Sequence, residues 1–219
     1  MLTRHQRTWW RCPATPDTIA REIPMRRCLL ACLVVVAAVA GAAPGRAQIV
    51  NGSFEPASPF GSWTTLPGGS TAIPGWTTIA SGVEWFTGYA LDGLYCIDLA
   101  NYTSSDGGIE QTFPTTPGEV YIIEFFLGTH QTSGRDGTAE IVVSADGASQ
   151  TFTAVNHAAA IAWESEAFTF TADDASATLR FRCLQNAYLH FAYLDRVGAT
   201  ALSTPAESRS WSGVKTLYR

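Results

Sequence analysis

The chain has 219 residues, of which 46% are hydrophobic and only 15% charged, and its net charge is −5. This composition excludes a disordered, self-repelling chain, and the absence of a Gly-X-Y repeat among its 19 glycines excludes collagen. An acidic balance with a single lysine, Lys215, argues against nucleic acid as a partner, so a globular protein with one good core remains.

The beginning of the chain differs in charge from the rest. Residues 1–47 hold seven basic and two acidic side chains, whereas the remainder holds seven basic and 17 acidic ones, a net charge of −10. Arg26 and Arg27 precede an uncharged apolar run over residues 28–44, and Gly45-Arg46-Ala47 supplies the small residues that a signal peptidase requires. We therefore predict a signal peptide over 25–47 with cleavage near Ala47, and a secreted, extracytoplasmic bacterial protein (periplasm or cell surface). A signal anchor is the alternative, although the run is short for a membrane span.

The two ends of the chain lack the pattern of a folded domain. Residues 1–24 lie upstream of a methionine that begins a complete signal, so we predict a spurious or dispensable extension. Residues 201–219 hold basic side chains with no long apolar span before them, which predicts a flexible tail without a membrane anchor. A degenerate surface-sorting signal is the alternative for this tail.

Residues 48–200 predict a single all-β domain. Short β-rich runs recur there between clusters of Gly, Pro, Asn, Asp and Ser. The runs cover residues 49–54, 83–86, 94–99, 109–113, 121–127, 140–144, 150–154, 166–171, 177–182 and 189–199. Only residues 154–163 have helix-forming composition. Nine or ten strands with so little helix predict a two-sheet antiparallel jelly-roll sandwich.

The predicted mature chain keeps two cysteines, Cys96 and Cys183. An even pair in an oxidising compartment is compatible with a disulfide. The alternation over 95–99 sends Cys96 to one face of its strand, however, whereas the alternation over 179–183 sends Cys183 towards the core. Two separate thiols are therefore the alternative, and neither spacing provides the clustered ligands of a zinc site.

A series of short motifs follows in order along the mature chain. They are Asn51-Gly52-Ser53-Phe54-Glu55, Ile73-Pro74-Gly75-Trp76-Thr77, Gly82-Val83-Glu84-Trp85, Asp92-Gly93, Ile97-Asp98-Leu99, Gly108-Ile109-Glu110-Gln111-Thr112-Phe113, Thr116-Pro117-Gly118, Tyr121-x-x-x-Phe125 and Leu194-Asp195-Arg196-Val197. Together they resemble the bacterial choice-of-anchor C proteins, which are akin to the plant cell-wall proteins of domain-of-unknown-function 642. The resemblance covers about residues 49–199.

This resemblance implies a galactose-binding-like jelly roll, a fold shared with many carbohydrate-binding modules. Plant relatives associate with cell-wall polysaccharide, and bacterial relatives are secreted and usually end in a surface-sorting tail. The chain departs from the family pattern at Arg196, where an asparagine is usual, at Thr129-His130, where Gly-Asn is usual, and in its tail.

Two carboxylates are candidates for a metal site. Glu55 ends the first predicted strand and Asp195 lies on the last, and such strands often lie side by side in jelly rolls. Ca²⁺ takes six to eight hard oxygen ligands, and similar folds frequently hold a structural calcium at this position. We therefore predict a calcium site at Glu55 and Asp195. The alternative is that Glu55 caps a turn and that Asp195 pairs with Arg196 or Arg180.

Aromatic and amide side chains are candidates for sugar recognition, which uses ring faces together with a few orienting polar groups. Trp85 alternates with Glu84, so that one of the two points outwards. Tyr89 and Tyr102 lie in loops that contain Gly and Ser, where binding residues gather. Gln111 either faces a cleft or satisfies a buried carbonyl. We predict Trp85, Tyr89, Tyr102 and Gln111 as carbohydrate-binding residues.

Catalysis is the competing class of function. A glycosidase needs two carboxylates around the scissile bond, and Glu84, Asp98, Glu110 and Glu124 are available, but solvent-facing strand positions explain all of them. No nucleophile elbow, zinc-protease or phosphate-loop motif occurs. We predict no catalytic residue and a non-catalytic domain that binds extracellular or cell-wall polysaccharide. The alternative is an adhesive matrix protein that binds other proteins, and a glycan-active hydrolase is less favoured.

Overall fold

The computed structural model of the chain describes residues 48–101 and 106–202. These residues form eleven strands, numbered in chain order: β1 (Trp63–Leu66), β2 (Thr77–Ala80), β3 (Val83–Thr87), β4 (Tyr95–Asp98), β5 (Gly107–Pro114), β6 (Val120–Thr129), β7 (Thr138–Ala145), β8 (Ala148–Val155), β9 (Ala162–Thr171), β10 (Ser176–Cys183) and β11 (Tyr193–Leu202). The predicted extension, the predicted signal peptide and the predicted tail beyond residue 202 lie outside the described residues.

The strands pair in two antiparallel sheets. The larger sheet has the order β1-β3-β4-β11-β6-β9, and the smaller sheet has the order β2-β5-β10-β7-β8. Strands that are neighbours in a sheet are often distant in sequence, as in β4-β11-β6, because the chain crosses repeatedly between the sheets. This architecture confirms the predicted all-β, two-sheet jelly-roll sandwich. Within 48–101 and 106–202 there is no helix that could cross a membrane.

The main core fills the space between the two sheets. On β6 the alternation predicts an inward face, and Tyr121, Ile123, Phe125 and Leu127 are all buried. The ring of Phe125 lies 5.2 Å from that of Phe181 on the opposite sheet, in edge contact. Each fully buried side chain of this size stabilises the fold by about 2–3 kcal/mol, so these facing rings hold the two sheets together.

The first predicted strand, over 49–54, is wrong. Asn51 and Phe54 adopt φ values of 52° and 56°, which breaks an extended strand. The amide of Asn51 holds the turn, because its Oδ1 accepts from the Glu55 N–H at 2.8 Å and its Nδ2 donates to the Glu55 carbonyl at 3.0 Å. Asparagine tolerates left-handed backbone and makes such local bonds. The N–H of Val197 donates to the Gly52 carbonyl at 2.9 Å, so the turn still lies beside β11.

Residues 154–163 form no helix, contrary to their composition. β8 continues to Val155 and β9 begins at Ala162, because each pairs with a neighbouring strand. Between them, Asn156 donates from Nδ2 to the carbonyls of Thr129 and Ala160 at 2.9 and 2.8 Å. These side-chain bonds to backbone hold the connection in an irregular conformation.

The two cysteines lie on opposite sides of the larger sheet, and the possible disulfide between them is not formed. Both are free and buried. Cys183 belongs to the main core, whereas Cys96 on β4 points to the outward face of the larger sheet. Burial raises the pKa of the Cys183 thiol to about 12 and also raises that of Cys96. The alternative of two separate, unreactive thiols therefore describes this pair.

Candidate functional site

The outward face of the larger sheet carries a second hydrophobic cluster. Cys96, Phe191 and Tyr193 are buried in it, and it is completed by partly buried side chains: Phe86, Ala90, Ile161 and Trp163. Ala90, Ile161 and Phe191 come from loops next to strands, so loops cover this face. The loops therefore shield this apolar sheet face from water, and a cleft lies at the edge of the covered area.

The strand register sets one row of side chains across all strands of the larger sheet. From β1 to β9 the paired residues are Thr65, Glu84, Asp98, Tyr193, Gly128 and Trp163. Paired residues point to the same face of a sheet. A Cβ on Gly128 would lie 2.8 Å from the ring of Trp163, so the indole lies across β6 at this position. The row thus places Glu84 and Asp98 side by side, with Asp98 next to Tyr193.

A cleft of about 550 Å³ opens on this face. Its aromatic lining consists of Trp63, Phe86, Tyr89, Phe191 and Tyr193. Its polar lining consists of Glu84, His130, Thr132, Ser133 and Arg135. The volume falls in the range of small-molecule sites, which combine apolar walls with few polar groups.

The aromatic lining is ordered by ring contacts. Tyr89 stacks on Tyr193 with the ring centroids 5.7 Å apart and an interplanar angle of 17°. Trp63 lies nearly parallel to Phe86 at 6.4 Å. Trp63 is 54% exposed and Tyr89 is 39% exposed, so both rings remain accessible to a ligand.

Two carboxyl groups lie at the base of this face. Glu84 and Asp98 are only 3% and 2% exposed, so their predicted solvent-facing positions are wrong. Burial, and secondarily the Asp98 charge, raises the pKa of Glu84 to about 7, although Arg135 and a hydrogen bond from Thr65 act in the opposite direction. Burial likewise raises the pKa of Asp98 to about 6. Oδ1 of Asp98 accepts from the N–H groups of Ala100 and Ala192, and Asp98 does not line the cleft.

A cation and a neutral imidazole complete the polar lining. The guanidinium of Arg135 lies over the ring of Phe191, 4.5 Å from its centroid. Nδ1 of His130 lies 3.1 Å from the Ala159 carbonyl and donates to it, which leaves Nε2 as an acceptor 3.5 Å from the Tyr193 hydroxyl. Burial lowers the pKa of His130, so the imidazole is uncharged at neutral pH.

The carboxylates predicted to bind calcium hold the loop that carries Tyr89. Oδ2 of Asp195 accepts from the N–H groups of Leu91 and Asp92 at 2.7 and 2.9 Å. Oε1 of Glu55 accepts from the N–H groups of Leu94 and Tyr95 at 2.7 and 3.0 Å. The two side chains therefore bind one loop, over residues 88–95, Asp195 at its middle and Glu55 at its C-terminal end.

This arrangement does not fit a calcium ion bound between Glu55 and Asp195. Both carboxylates accept hydrogen bonds from backbone N–H groups, whose partial positive charge opposes a cation at the same atoms. No group of three or more His, Cys, Asp and Glu side chains among the described residues could hold a metal. Calcium stays a prediction without a ligand set in the described part of the chain.

The predicted sugar-binding residues do not come together. Tyr89 lines the cleft, and Tyr102 lies outside the described residues. Trp85 was the wrong member of its alternating pair, because it points into the main core, is 4% exposed and donates from Nε1 to the Phe54 carbonyl at 2.8 Å. Gln111 is also buried, and its amide pairs with both backbone groups of Val50.

The sequence interpretation missed most of the cleft. Trp63, His130, Arg135, Phe191 and Tyr193 were not among the predicted binding residues. The alternation of side chains along β3 could have identified part of the cleft. If Val83 points inwards, Glu84 and Phe86 must point outwards. Nothing local in the sequence indicates that the loops carrying Arg135 and Phe191 meet on that strand.

These features define a jelly-roll domain in which the outward face of one sheet carries an aromatic-lined cleft. The chain belongs to the family described as "protein of unknown function (DUF642)", whose model matches residues 47–190. No curated protein matches the chain.

Solved structures of similar fold are larger enzymes and isolated modules. An arabinose-bound α-L-arabinofuranosidase has a TM-score of 0.50 and 11% identity over 74% of this chain and 27% of its own, so the chain spans about a quarter of that enzyme. The CBM22-1 xylan-binding domain of Xyn10C from Paenibacillus barcinonensis has a TM-score of 0.44 and 16% identity. The match covers 74% of this chain and 99% of that domain. TmCBM61, solved with β-1,4-galactotriose, has a TM-score of 0.40 and 12% identity. The match covers 70% of this chain and 98% of TmCBM61. At an identity of 11% and a TM-score of 0.50, the similarity to the arabinofuranosidase supports the fold alone.

Proposed function

We propose that this domain is a secreted, non-catalytic carbohydrate-binding module of the choice-of-anchor C type, and that it binds polysaccharide in the cleft on the larger sheet. The observation that carries the proposal is the accessible pair Trp63 and Tyr89 beside Glu84 and Arg135. Secretion rests on the predicted signal peptide over residues 25–47.

The lining has the chemistry that sugar recognition requires. A pyranose or furanose ring presents C–H patches, which pack against aromatic faces, and a rim of hydroxyl groups, which need donors and acceptors. Trp63 and Tyr89 supply aromatic surface, while Glu84 and Arg135 supply an acceptor and a donor. A cleft of about 550 Å³ has room for a few sugar units at most, so a longer chain would continue beyond it.

The environment of Asp98 favours binding over hydrolysis. Glycoside hydrolysis uses two carboxyl groups that both reach the glycosidic bond. Glu84 lines the cleft, but its cross-strand neighbour Asp98 is buried, does not line the cleft and uses Oδ1 for two backbone N–H groups. Within the described residues, Glu84 is the single carboxyl side chain of the cleft lining.

The adhesive alternative needs an exposed apolar stripe, and the candidate for one is the outward face of β6. Ile122 and Phe126 are only half-buried, but the guanidinium of Arg196 lies over the ring of Phe126 at 5.6 Å. The stripe is therefore interrupted by a charged group, which favours the cleft as the place of binding.

A pull-down on insoluble polysaccharides tests the proposal. We expect the purified protein to bind at least one of xylan, cellulose, β-galactan or mannan. Trp63→Ala should weaken this binding at least about tenfold, because a nucleic-acid base stacked on an aromatic ring is worth about 1–3 kcal/mol and a sugar ring packs on the indole through a face of similar size. Tyr188→Ala is the matched control, because Tyr188 is a similarly exposed aromatic residue outside the cleft. Binding to none of the polysaccharides, or equal loss in both variants, would contradict the proposal.

A further inference from the structure

The 88–95 loop brings Tyr89 to the cleft. It connects β3 to β4, and Gly88 and Gly93 adopt φ values of 88° and 73° within it. Across the loop, the N–H of Gly88 donates to the Leu94 carbonyl at 3.4 Å, which exceeds the usual length of such a bond. Glycine adopts many backbone conformations, so two glycines and this long hydrogen bond give the loop little conformational preference of its own.

Two carboxylates supply the order that the loop lacks. The four hydrogen bonds that Asp195 and Glu55 accept from its backbone measure 2.7, 2.9, 2.7 and 3.0 Å, so all are shorter than the bond across the loop. Hydrogen bonds to an ionised carboxylate are about twice as strong as those between neutral groups. A Cβ on Gly93 would lie 2.3 Å from Oε1 of Glu55, which shows how closely the loop backbone approaches this side chain. The conformation of the loop therefore depends on two side chains from distant parts of the chain.

In this conformation the loop presents Tyr89 as one wall of the cleft. The Tyr89 ring stacks on Tyr193 and makes edge contact with Phe86. Neither Asp195 nor Glu55 lines the cleft. Any effect of these two carboxylates on a ligand in the cleft must therefore act through the loop.

We propose that Asp195 and Glu55 are positioning residues for ligand binding, which hold Tyr89 at the cleft and so order one of its walls before the ligand arrives. The inference rests on the proposed carbohydrate binding and assigns it two residues that do not touch the ligand. A loop that is already ordered loses less conformational entropy when the ligand binds. Loss of either carboxylate then weakens binding although every lining residue is still present.

Affinity electrophoresis tests this inference in gels that contain soluble xylan, β-galactan, galactomannan or mixed-linkage β-glucan. The polymer that retards the parent protein serves as the probe. We expect Asp195→Ala and Glu55→Ala each to weaken binding about tenfold, because the ligand must then order the loop itself. Glu55→Gln keeps an oxygen at the acceptor position and should bind within about twofold of the parent.

Thr78→Ala is the matched control for a general loss of stability. Thr78 is buried on β2 of the smaller sheet, and its hydroxyl accepts from the Ser70 N–H at 2.9 Å. It therefore also joins a strand to a loop, but it does not line the cleft. We expect the Thr78→Ala protein to bind the probe as the parent does.

A double-mutant cycle shows whether the carboxylates act through Tyr89. In a Tyr89→Ala background the loop has no ring to position, so Asp195→Ala should weaken binding by less than about twofold further. In a Trp63→Ala background it should still weaken binding about tenfold, because Trp63 lies on β1 and not on the loop. Thermal melting identifies the variants that are folded at the assay temperature. If Asp195→Ala is not folded, the same cycle is measured with Glu55→Ala, which changes a side chain that is only partly buried.

The outcomes separate this inference from the proposed function. Folded Asp195→Ala and Glu55→Ala proteins that bind as tightly as the parent overturn the positioning role and leave carbohydrate binding in place. Equal losses in the parent and Tyr89→Ala backgrounds, or a loss in Thr78→Ala as large as that in Asp195→Ala, overturn it as well. Retardation of the parent by none of the four polymers contradicts carbohydrate binding itself.

Discussion

The outward faces of the two sheets differ in what they bury. On the smaller sheet, Thr112 and Thr178 share a hydrogen bond at 2.8 Å, and Arg180 pairs with Glu110 at 2.7 Å in partly exposed positions. On the larger sheet, loops enclose aromatic rings together with three carboxyl groups that are each at most 3% exposed: Glu84, Asp98 and Asp195. Both faces lie outside the main core, so stability of the sandwich alone does not explain the difference. Buried acids with raised pKa values cluster at functional sites, and here Glu84 lines the cleft while Asp98 and Asp195 lie on the same sheet face.

The largest effect should come from Tyr193, the centre of the outer cluster. Tyr193→Ala removes the ring that Tyr89, Phe191 and His130 contact, and we expect the free energy of unfolding to fall by about 3–5 kcal/mol. The matched change on the smaller sheet is Thr178→Ala, which should cost below about 1 kcal/mol. Urea unfolding measures both. Equal losses would show that the outer cluster is no better packed than the polar face.

A smaller effect is expected where Asp195 fixes the 88–95 loop. Whichever way its amide turns, Asp195→Asn leaves at least one backbone N–H without its acceptor, at a cost of about 1–3 kcal/mol. Asp195→Ala removes both acceptor oxygens, so hydrogen exchange at Leu91 and Asp92 should accelerate in that variant. On the smaller sheet, Glu110→Gln removes an exposed ion pair and should cost below about 1 kcal/mol. Unchanged exchange at the two loop amides would refute the role of Asp195.

The pH dependence of stability should differ between the protein and its Glu84→Gln variant. The pKa of Glu84 is about 7 in the folded state, above its unfolded value, so its contribution is full below the unfolded pKa and is lost as pH rises towards and through 7. Between pH 8 and pH 5 the free energy of unfolding should therefore rise by more in the protein than in Glu84→Gln, by about 1–3 kcal/mol. His130 opposes the rise in both, because its pKa is lowered. Denaturant unfolding across this range checks the difference, and parallel profiles would contradict it.

The smallest expected effect is that of a chelator. Because Glu55 and Asp195 both accept hydrogen bonds from backbone amides, we expect EDTA to leave the melting temperature unchanged. Calorimetry with and without EDTA, and with added Ca²⁺, measures it. A clear fall in the melting temperature on chelation would restore a calcium site and require ligands beyond these two side chains.

The sequence predicted the sandwich because its signal is local. On β6 every second residue from Tyr121 to Leu127 is apolar, and the structure buries that set. Strands β1 and β2 were missed, since four residues rich in threonine give too short a pattern. The turn at Asn51 was also missed, because its side-chain bonds override the apolar run around it.

The cleft was far less predictable than the fold. The alternation of side chains along β3 indicated that either Glu84 or Trp85 faces outwards. Which of the two does so depends on which face of the strand packs against the main core. Tyr193 comes beside Asp98 only through a strand pairing that spans most of the domain. Arg135 and Phe191 arrive on loops, whose conformation no periodicity describes.

The bonds from Asp195 to the 88–95 loop join residues 104 positions apart in sequence, and those from Glu55 begin near the first described residue. The loop that carries Tyr89 can therefore reach its final conformation only after β11 has been synthesised and paired. During folding, the strands that precede β11 could associate while the cleft still lacks both Tyr193 and the fixed loop. The ability to bind a ligand would then require the pairing of the last strand. A chain truncated before β11 could retain part of the sandwich and yet bind no ligand.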